Sequence, residues 1–365
     1  MDKKIIFFVT NLDSGGLENY LLRFLKVYSS KFNEAIVVCR SGRGGVLENE
    51  YTALPNVTVL KKKVGNFHIN HYIDLFFWLQ KKKSYIVCDF TGNFAAPILE
   101  LSKWVGIKKR IVFYRSSSNR FVETRLRLMI NKLYNNLIKK SATHILANSD
   151  YAFKFFFNCS DDPRFNLVYN GIDIESFLKD KQNLRREFHI SESDIVIGHT
   201  GRYNPSKNHA VILEVAKKMV EKFKNLKFFL CGKGVKENLE SKIIELGIEH
   251  NMILSENRPD IPQVLNTFDV FIFPSLTEGQ PNSLIEAWIK GLPFVASNIT
   301  PIRDIVPEEL QEYLVDPVDV DGMVNILSNH VMNPQKYNSD FTSSWSQSAF
   351  DSNSRFLDFF KIIDK

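Results

Sequence analysis

With 365 residues, 44% of them hydrophobic and 24% charged, the chain is long for one hydrophobic core, comfortable for two domains, and too apolar for a disordered protein. Its net charge of +6 conceals an asymmetry: residues 1–165 hold 26 Lys+Arg against 13 Asp+Glu, a balance of +13, and the remainder balances at −7. On charge alone, the first half is expected to meet something anionic, either nucleic acid or an acidic membrane surface.

The N-terminus starts basic, but its apolar run, Ile5 to Val9, is too short for a signal peptide, and no run approaches the length that spans a bilayer. It reads as a first buried strand, and a cytoplasmic location is expected. Cys39, Cys88, Cys159 and Cys231 form no C-x-x-C pair. Three of them close apolar runs and are expected to be small buried hydrophobes, without disulfides or a metal cluster. Thirty Phe is a heavy load, part of it expected at the surface.

Apolar runs at 5–9, 35–39, 57–60, 85–88, 111–114 and 144–147 alternate with helical patterns, clearest at 17–28 and 119–140. The second half repeats the style, with strands at 195–199, 227–231, 252–254, 270–273 and 294–296 and helices near 208–223, 236–246, 261–266 and 282–290. Strands alternating with helices predict βαβ units and parallel sheets, hence two Rossmann-like domains facing a central cleft. Asn170-Gly171 marks the hinge, with a linker running to about Glu192. Within 119–140, Leu126, Ile130, Leu133 and Leu137 share one stripe. Arg125, Arg127, Lys132, Lys139 and Lys140 lie mostly off it. The helix either packs on its sheet with a solvated basic face or docks on anionic lipid.

Four stretches carry candidate chemistry. Asn11 to Gly16 follows the first strand and leads into a helix, so its glycine pair is either a phosphate approach or a plain tight turn. After strand 195–199, Arg202 and Lys207 precede a helix start, where acids are the usual residents; cations there point to a bound anion such as a diphosphate. Cys231-Gly232-Lys233-Gly234 is another small-residue turn on the same edge. From Phe271 to Thr300 the pattern is strand, loop, helix, strand, with Glu278 in the loop and Glu286 in the helix. Ligands of doubly wound sheets sit outside the carboxyl ends of the strands. Ser283-Leu-Ile-Glu286 also fits a capping box, the alternative reading of Glu286. Asp319-Val-Asp321 reads as a loop and helix start, and no histidine cluster of metal-binding spacing occurs.

Together GGLENYL, VYNGID, GRYNPSKNH, the CGKG turn, PSLTEGQPNSLIEA and GLPFVAS resemble the GT-B glycosyltransferases of family 4, in the branch associated with capsular and exopolysaccharide synthesis. The resemblance implies a retaining transferase using a nucleotide-sugar co-substrate, a UDP-sugar in preference to a GDP-sugar, with no essential metal or other cofactor. It implies an N-terminal acceptor-side domain (1–170), a nucleotide-sugar-binding domain (171–349) and a C-terminal helix (350–365) crossing back to the first domain. By position it places Gly16 near the donor phosphates, and Arg202 and Lys207 on the diphosphate. Gly232 joins the donor edge, Glu278 faces the transferred sugar with Gly279, Gln280, Pro281, Asn282 and Ser283 beside it, and Glu286 takes the ribose. Arg115 stands where many members carry a catalytic His. Expected partners are the donor, a lipid-linked or oligosaccharide acceptor and the anionic inner face of the plasma membrane, with no nucleic acid. Same-fold epimerases, phosphorylases and a non-catalytic nucleotide-sugar-binding subunit remain the alternatives.

Overall fold

The computed structural model describes residues 3–65, 68–115, 123–158 and 161–364. The chain divides into two units, the first comprising Met1–Asn170 with Arg355–Lys365 and the second Gly171–Ser354. The first sheet contains β1 (Lys4–Val9), β2 (Glu34–Cys39), β3 (Val57–Lys61), β4 (Ile86–Asp89), β5 (Arg110–Tyr114), β6 (His144–Ala147) and β7 (Phe165–Leu167). Its spatial order is β3-β2-β1-β4-β5-β6-β7. The second contains β8 (Ile195–Thr200), β9 (Leu226–Cys231), β10 (Met252–Ser255), β11 (Val270–Phe273), β12 (Phe294–Ser297) and β13 (Leu314–Val315), in the order β10-β9-β8-β11-β12-β13. Neighbouring strands run parallel throughout, as β1 does with β2 and β4, and β8 with β9 and β11. Each sheet therefore reverses its winding at one point, between β1 and β4 and between β8 and β11, where doubly wound folds hold ligands.

Helices cover both faces of the first sheet, which explains why its central strands read as unbroken apolar runs rather than alternations. One face packs Ile6, Phe8, Val87 and Val112 against the helices Ile69–Gln80, Ala96–Trp104 and Asp150–Phe157. The other packs Phe7, Val37 and Phe113 against the Gly16–Tyr28 helix and the C-terminal Ser352–Asp364 helix. Much of the phenylalanine load sits in this second layer. Phe359 is fully buried, with its ring centroid 4.6 Å from Phe24 and 5.3 Å from Phe113. Lys109 Nζ donates to the Ile363 carbonyl at 2.9 Å, and Lys3 pairs with Asp364, tying down the helix end. Phe359→Ala is expected to cost about 3–5 kcal/mol through lost transfer energy and an unfilled cavity. Urea denaturation should show the first-unit transition moving to lower denaturant while that of the second unit stays in place. Other phenylalanines are exposed, among them Phe77 and Phe94.

Several expectations need revision. The helix expected at 119–140 is observed at Arg125–Ser141, while 116–122 lie outside the described residues. Its predicted stripe is not the packing face: Leu126 and Leu133 are 67% and 56% exposed, and Tyr134, Leu137 and Ile138 pack inward instead. The stretch after the hinge is no loose linker. Asp173 caps the Ile174–Lys179 helix, the Leu184 amide donates to Thr267 Oγ1 at 2.8 Å, and Asn266 Nδ2 donates to the Asp180 and Gln182 carbonyls. These bonds fasten it to the second unit. Residues 350–354 also group with the second unit, where the Ile172 amide donates to the Phe350 carbonyl at 2.9 Å and the Ser352 amide to that of Ile172 at 2.8 Å. Cys39, Cys88 and Cys231 are buried free thiols, and Cys159 lies outside the described residues. No helix among the described residues is long and apolar enough to cross a membrane.

Candidate active site

The second unit concentrates polar groups at the carboxyl edge of its sheet. β8 ends at Thr200 and continues into Gly201 and Arg202, and the Gly201 amide donates to the Cys231 carbonyl at 2.9 Å. The next turn approaches so closely that a Cβ on Gly232 would collide with the Gly201 carbonyl and the Arg202 amide. Only glycine fits there. Glu256, just past β10, accepts from the Gly234 amide at 2.8 Å and from that of Lys236 at 3.3 Å, closing the start of the Val235–Leu246 helix.

Lys207 ends a short turn, Pro205–Lys207, that Asn204 caps through Oδ1. The Leu276 amide donates to the Ser206 carbonyl at 2.8 Å, which stitches the loop after β11 to this turn. Glu278 is thereby carried to Lys207, and the two pair at 2.6 Å with side chains only 16% and 11% exposed. Lys207 Nζ also stands 4.7 Å from the centre of the Phe273 ring. The cation and carboxylate predicted to face the diphosphate and sugar thus neutralise each other in the ligand-free protein.

The helix after β11 spans Asn282–Ile289 with Pro281 at its N-cap and no side-chain cap. Ser283 is the second helical residue and Glu286 the fifth, so the capping-box reading of Ser283 and Glu286 is excluded. The helix stops as expected at Gly291, whose φ of 71° lets its amide donate to the Trp288 carbonyl at 2.8 Å and that of Leu292 to Ala287 at 3.1 Å, a Schellman ending. Trp288 is fully buried against Trp345, from the Ser339–Phe350 helix, and Phe294, and so fixes the roll of the helix. With that roll set, Ser283 and Glu286 face a cavity of about 150 Å³ lined also by Thr200, Gly201, Arg202, Cys231, Gly232, Asn257 and Ile261. The site joins β8, β9, the end of β10 and the helix after β11, beside the β8/β11 reversal. Gln280 and Pro281 are buried in the connecting loop, and Gly279 and Asn282 are half-buried.

Asn257 and Ile261 belong to no motif. Their only sequence signal is that they follow an apolar strand onto the same edge. Gly16 and Arg115 belong to the first unit. Gly16 opens the Gly16–Tyr28 helix with open space around its α-carbon, whereas a Cβ on the preceding Gly15 would meet the Glu18 carboxylate. Arg115 follows β5 and lays its guanidinium 3.7 Å over the centre of the Tyr20 ring. Asp319 caps the Val320–Met332 helix through the Gly322 amide, and Asp321 pairs with Lys218 at 2.7 Å, as a loop and helix start require.

Beneath the cation loop lie two buried histidines, 5.1 Å apart between ring centres. His199 donates from Nδ1 to the Ile272 carbonyl at 2.9 Å. Burial pushes His209 down to about 4, with Lys207 adding to the effect. His199 falls well below its usual range, first through burial and then through His209. Both are neutral when folded, and the unfolded chain takes up their protons near pH 6.5. Their contribution is therefore complete above that pH and lost as pH falls toward 4, at up to about 1.4 kcal/mol per pH unit for each histidine. Melting curves between about pH 7 and 4.5 should show this loss, and His209→Gln should flatten the slope.

Two parallel doubly wound sheets in one chain make this the α/β architecture of the GT-B fold. Over 99% of both chains it superposes on HepE from Anabaena, solved in complex with UDP, with a TM-score of 0.83 at 19% identity. Residues 180–343, within the second unit, match the family described as Glycosyl transferases group 1. A UDP-Gal:alpha-D-GlcNAc-diphosphoundecaprenol alpha-1,3-galactosyltransferase of Escherichia coli is 30% identical over 46% of this chain and 45% of that protein. The capsular polysaccharide biosynthesis glycosyltransferase CapH of Staphylococcus aureus is 24% identical over 81% of both. The chain spans about half the length of several curated relatives that it matches.

Proposed function

We propose that the chain is a glycosyltransferase of cell-surface polysaccharide synthesis that moves a sugar from a nucleotide-sugar donor, a UDP-sugar in preference to a GDP-sugar, to a lipid-linked or oligosaccharide acceptor, with retention as in family 4. The observation that carries this reading is the cavity at the β8/β11 edge, where Arg202, the Gly232 backbone and Glu286 converge. A guanidinium beside exposed backbone amides suits phosphate, and a carboxylate suits a ribose diol. At about 150 Å³ the enclosure fits a ribose–phosphate portion rather than a whole nucleotide sugar, so the transferred sugar lies outside it, toward Glu278. As the sugar–phosphate bond breaks, negative charge grows on the diphosphate, and Arg202 and Lys207 stabilise it. Glu278, released from Lys207, orients the sugar hydroxyls, with Gly279 to Asn282 beside it. For Gly16 and Arg115 the reading rests on the resemblance alone. No metal ligand enters this scheme.

Thermal shifts of the full chain with UDP, UDP-sugars and GDP-mannose test the donor assignment, because a ligand of the native state raises its stability by mass action. UDP-sugars should shift the melting point most, and a flat response to every nucleotide sugar would overturn the reading. Radiolabel moving from donor into lipid extract distinguishes transfer from epimerisation, and the anomeric proton signal of the product reads retention.

Peripheral contact with an anionic membrane belongs to the same reading. Exposed Leu126, Met129 and Leu133 share the Arg125–Ser141 helix with exposed Arg125, Arg127 and Lys132, the mixture that interfacial helices use. Sedimentation with anionic vesicles at physiological salt tests it, and a fully soluble fraction refutes it.

A further inference from the structure

The first unit has its own cavity at its own winding reversal. It encloses about 410 Å³, within the usual range of small-ligand sites, about 300–1,000 Å³. Thr10 comes from the end of β1, Arg40 and Ser41 from the end of β2, and Phe90 and Thr91 from the end of β4; Leu17, Glu18, Lys63, Val64, Gly65 and Phe94 complete the lining. Backbone pairing continues past the strand ends: the Ser41 amide donates to the Thr10 carbonyl at 2.9 Å and the Val64 amide to that of Arg40 at 2.8 Å. Lys63 is thereby fixed beside Arg40.

Arg40 is only 7% exposed, yet it is not spent on a carboxylate. Its Nη1 donates to Thr91 Oγ1 at 2.5 Å and to the Phe94 carbonyl at 2.9 Å. Thr91 is held in turn by Asp89, whose Oδ1 accepts from the threonine amide at 2.7 Å and hydroxyl at 2.6 Å. Asp89 thus serves to position Thr91, and both recorded bonds of Arg40 leave from a single nitrogen. The rest of the planar donor fork faces the cavity, the geometry that binds carboxylate or phosphate bidentately. Glu18 is the one carboxylate on the wall, and it folds over Gly15 at the start of its own helix. Opposite the cations stand Leu17, Val64, Phe90 and the 38% exposed ring of Phe94, an apolar wall suited to the C–H face of a sugar ring.

We propose that this cavity binds an anionic saccharide, a sugar bearing a carboxylate or a phosphate, with Arg40 and Lys63 selecting the charge and Phe94 the ring. This deepens the transferase reading by naming the class of acceptor, and its test needs no donor, so failure of the donor reading leaves it intact.

Saturation-transfer NMR on the full chain supplies the test, with D-glucuronate, glucose 1-phosphate, D-glucose and inorganic phosphate as probes. At least one anionic sugar should bind about ten-fold more tightly than glucose, the worth of one charge-assisted bidentate contact. Preference for glucuronate identifies a carboxylate ligand, and preference for glucose 1-phosphate a phosphate. Lys63 is exposed, so Lys63→Glu should fold normally, abolish that preference and leave the UDP-induced thermal shift unchanged. Arg40→Lys keeps the charge but loses the fork, and should weaken the same probe by a similar factor. Equal binding of glucose and the anions, unchanged binding in Lys63→Glu, displacement of the sugar by UDP, or inorganic phosphate binding as tightly as glucose 1-phosphate would each overturn the proposal.

Discussion

Replacing Lys207 or Glu278 singly by alanine is expected to destabilise the second unit by about 2–4 kcal/mol, and the double replacement to recover much of that loss. The two side chains are 16% and 11% exposed and 2.6 Å apart, so removing either leaves the other nearly buried and uncompensated. Removing both takes away the desolvation penalty together with the attraction. Urea denaturation of the four proteins gives the coupling energy, and additive losses would show that the pair is not held in solution. Either single variant should also lose transfer, because each partner has a separate task once donor binds: Lys207 on the diphosphate and Glu278 on the sugar. A double variant with restored stability and no activity would separate the two effects.

Arg202 and Glu286 share one cavity but should fail in different ways. Arg202→Ala is expected to lower kcat about 100- to 1,000-fold, since its charge meets the diphosphate most strongly as the bond breaks. Glu286→Ala is expected to raise the KM for donor about ten-fold with kcat largely kept, because ribose contacts are equal in ground and transition states. Steady-state kinetics on the two variants is the measurement. A KM effect for Arg202→Ala with kcat intact would move it from charge stabilisation to simple binding.

Why the fold is so visible in the sequence is clear from β11 and β12. Val270–Phe273 and Phe294–Ser297 are buried at every position, so each is a short continuous apolar run bounded by Pro, Gly or polar residues. The Ser339–Phe350 helix shows the opposite case. Its sequence, SDFTSSWSQSAF, has little helix propensity, and it forms because Trp345 meets Trp288 from a distant part of the chain. The Arg125–Ser141 helix shows a third outcome. Its period was legible, but which apolar residues face inward depends on the neighbouring Ala96–Trp104 helix, and Leu126 and Leu133 point away from the core.

At the site the division is similar. The sequence by itself determined which residue types stand at the ends of apolar runs: Arg202 and Lys207 before a helix, Gly232 in a turn, Glu278 and Glu286 around another helix start. Those patterns are local, a few residues of strand, loop and helix, so spacing alone carries them. Only the tertiary structure decided which of them meet. The backbone bond from Leu276 to Ser206 brings Glu278 to Lys207, Pro281 takes the N-cap that Ser283 seemed to occupy, and the strand order of the second sheet sets Asn257 and Ile261 beside Arg202. Each of these depends on pairing between segments many residues apart, fixed by sheet order and core packing rather than by any periodicity along the chain.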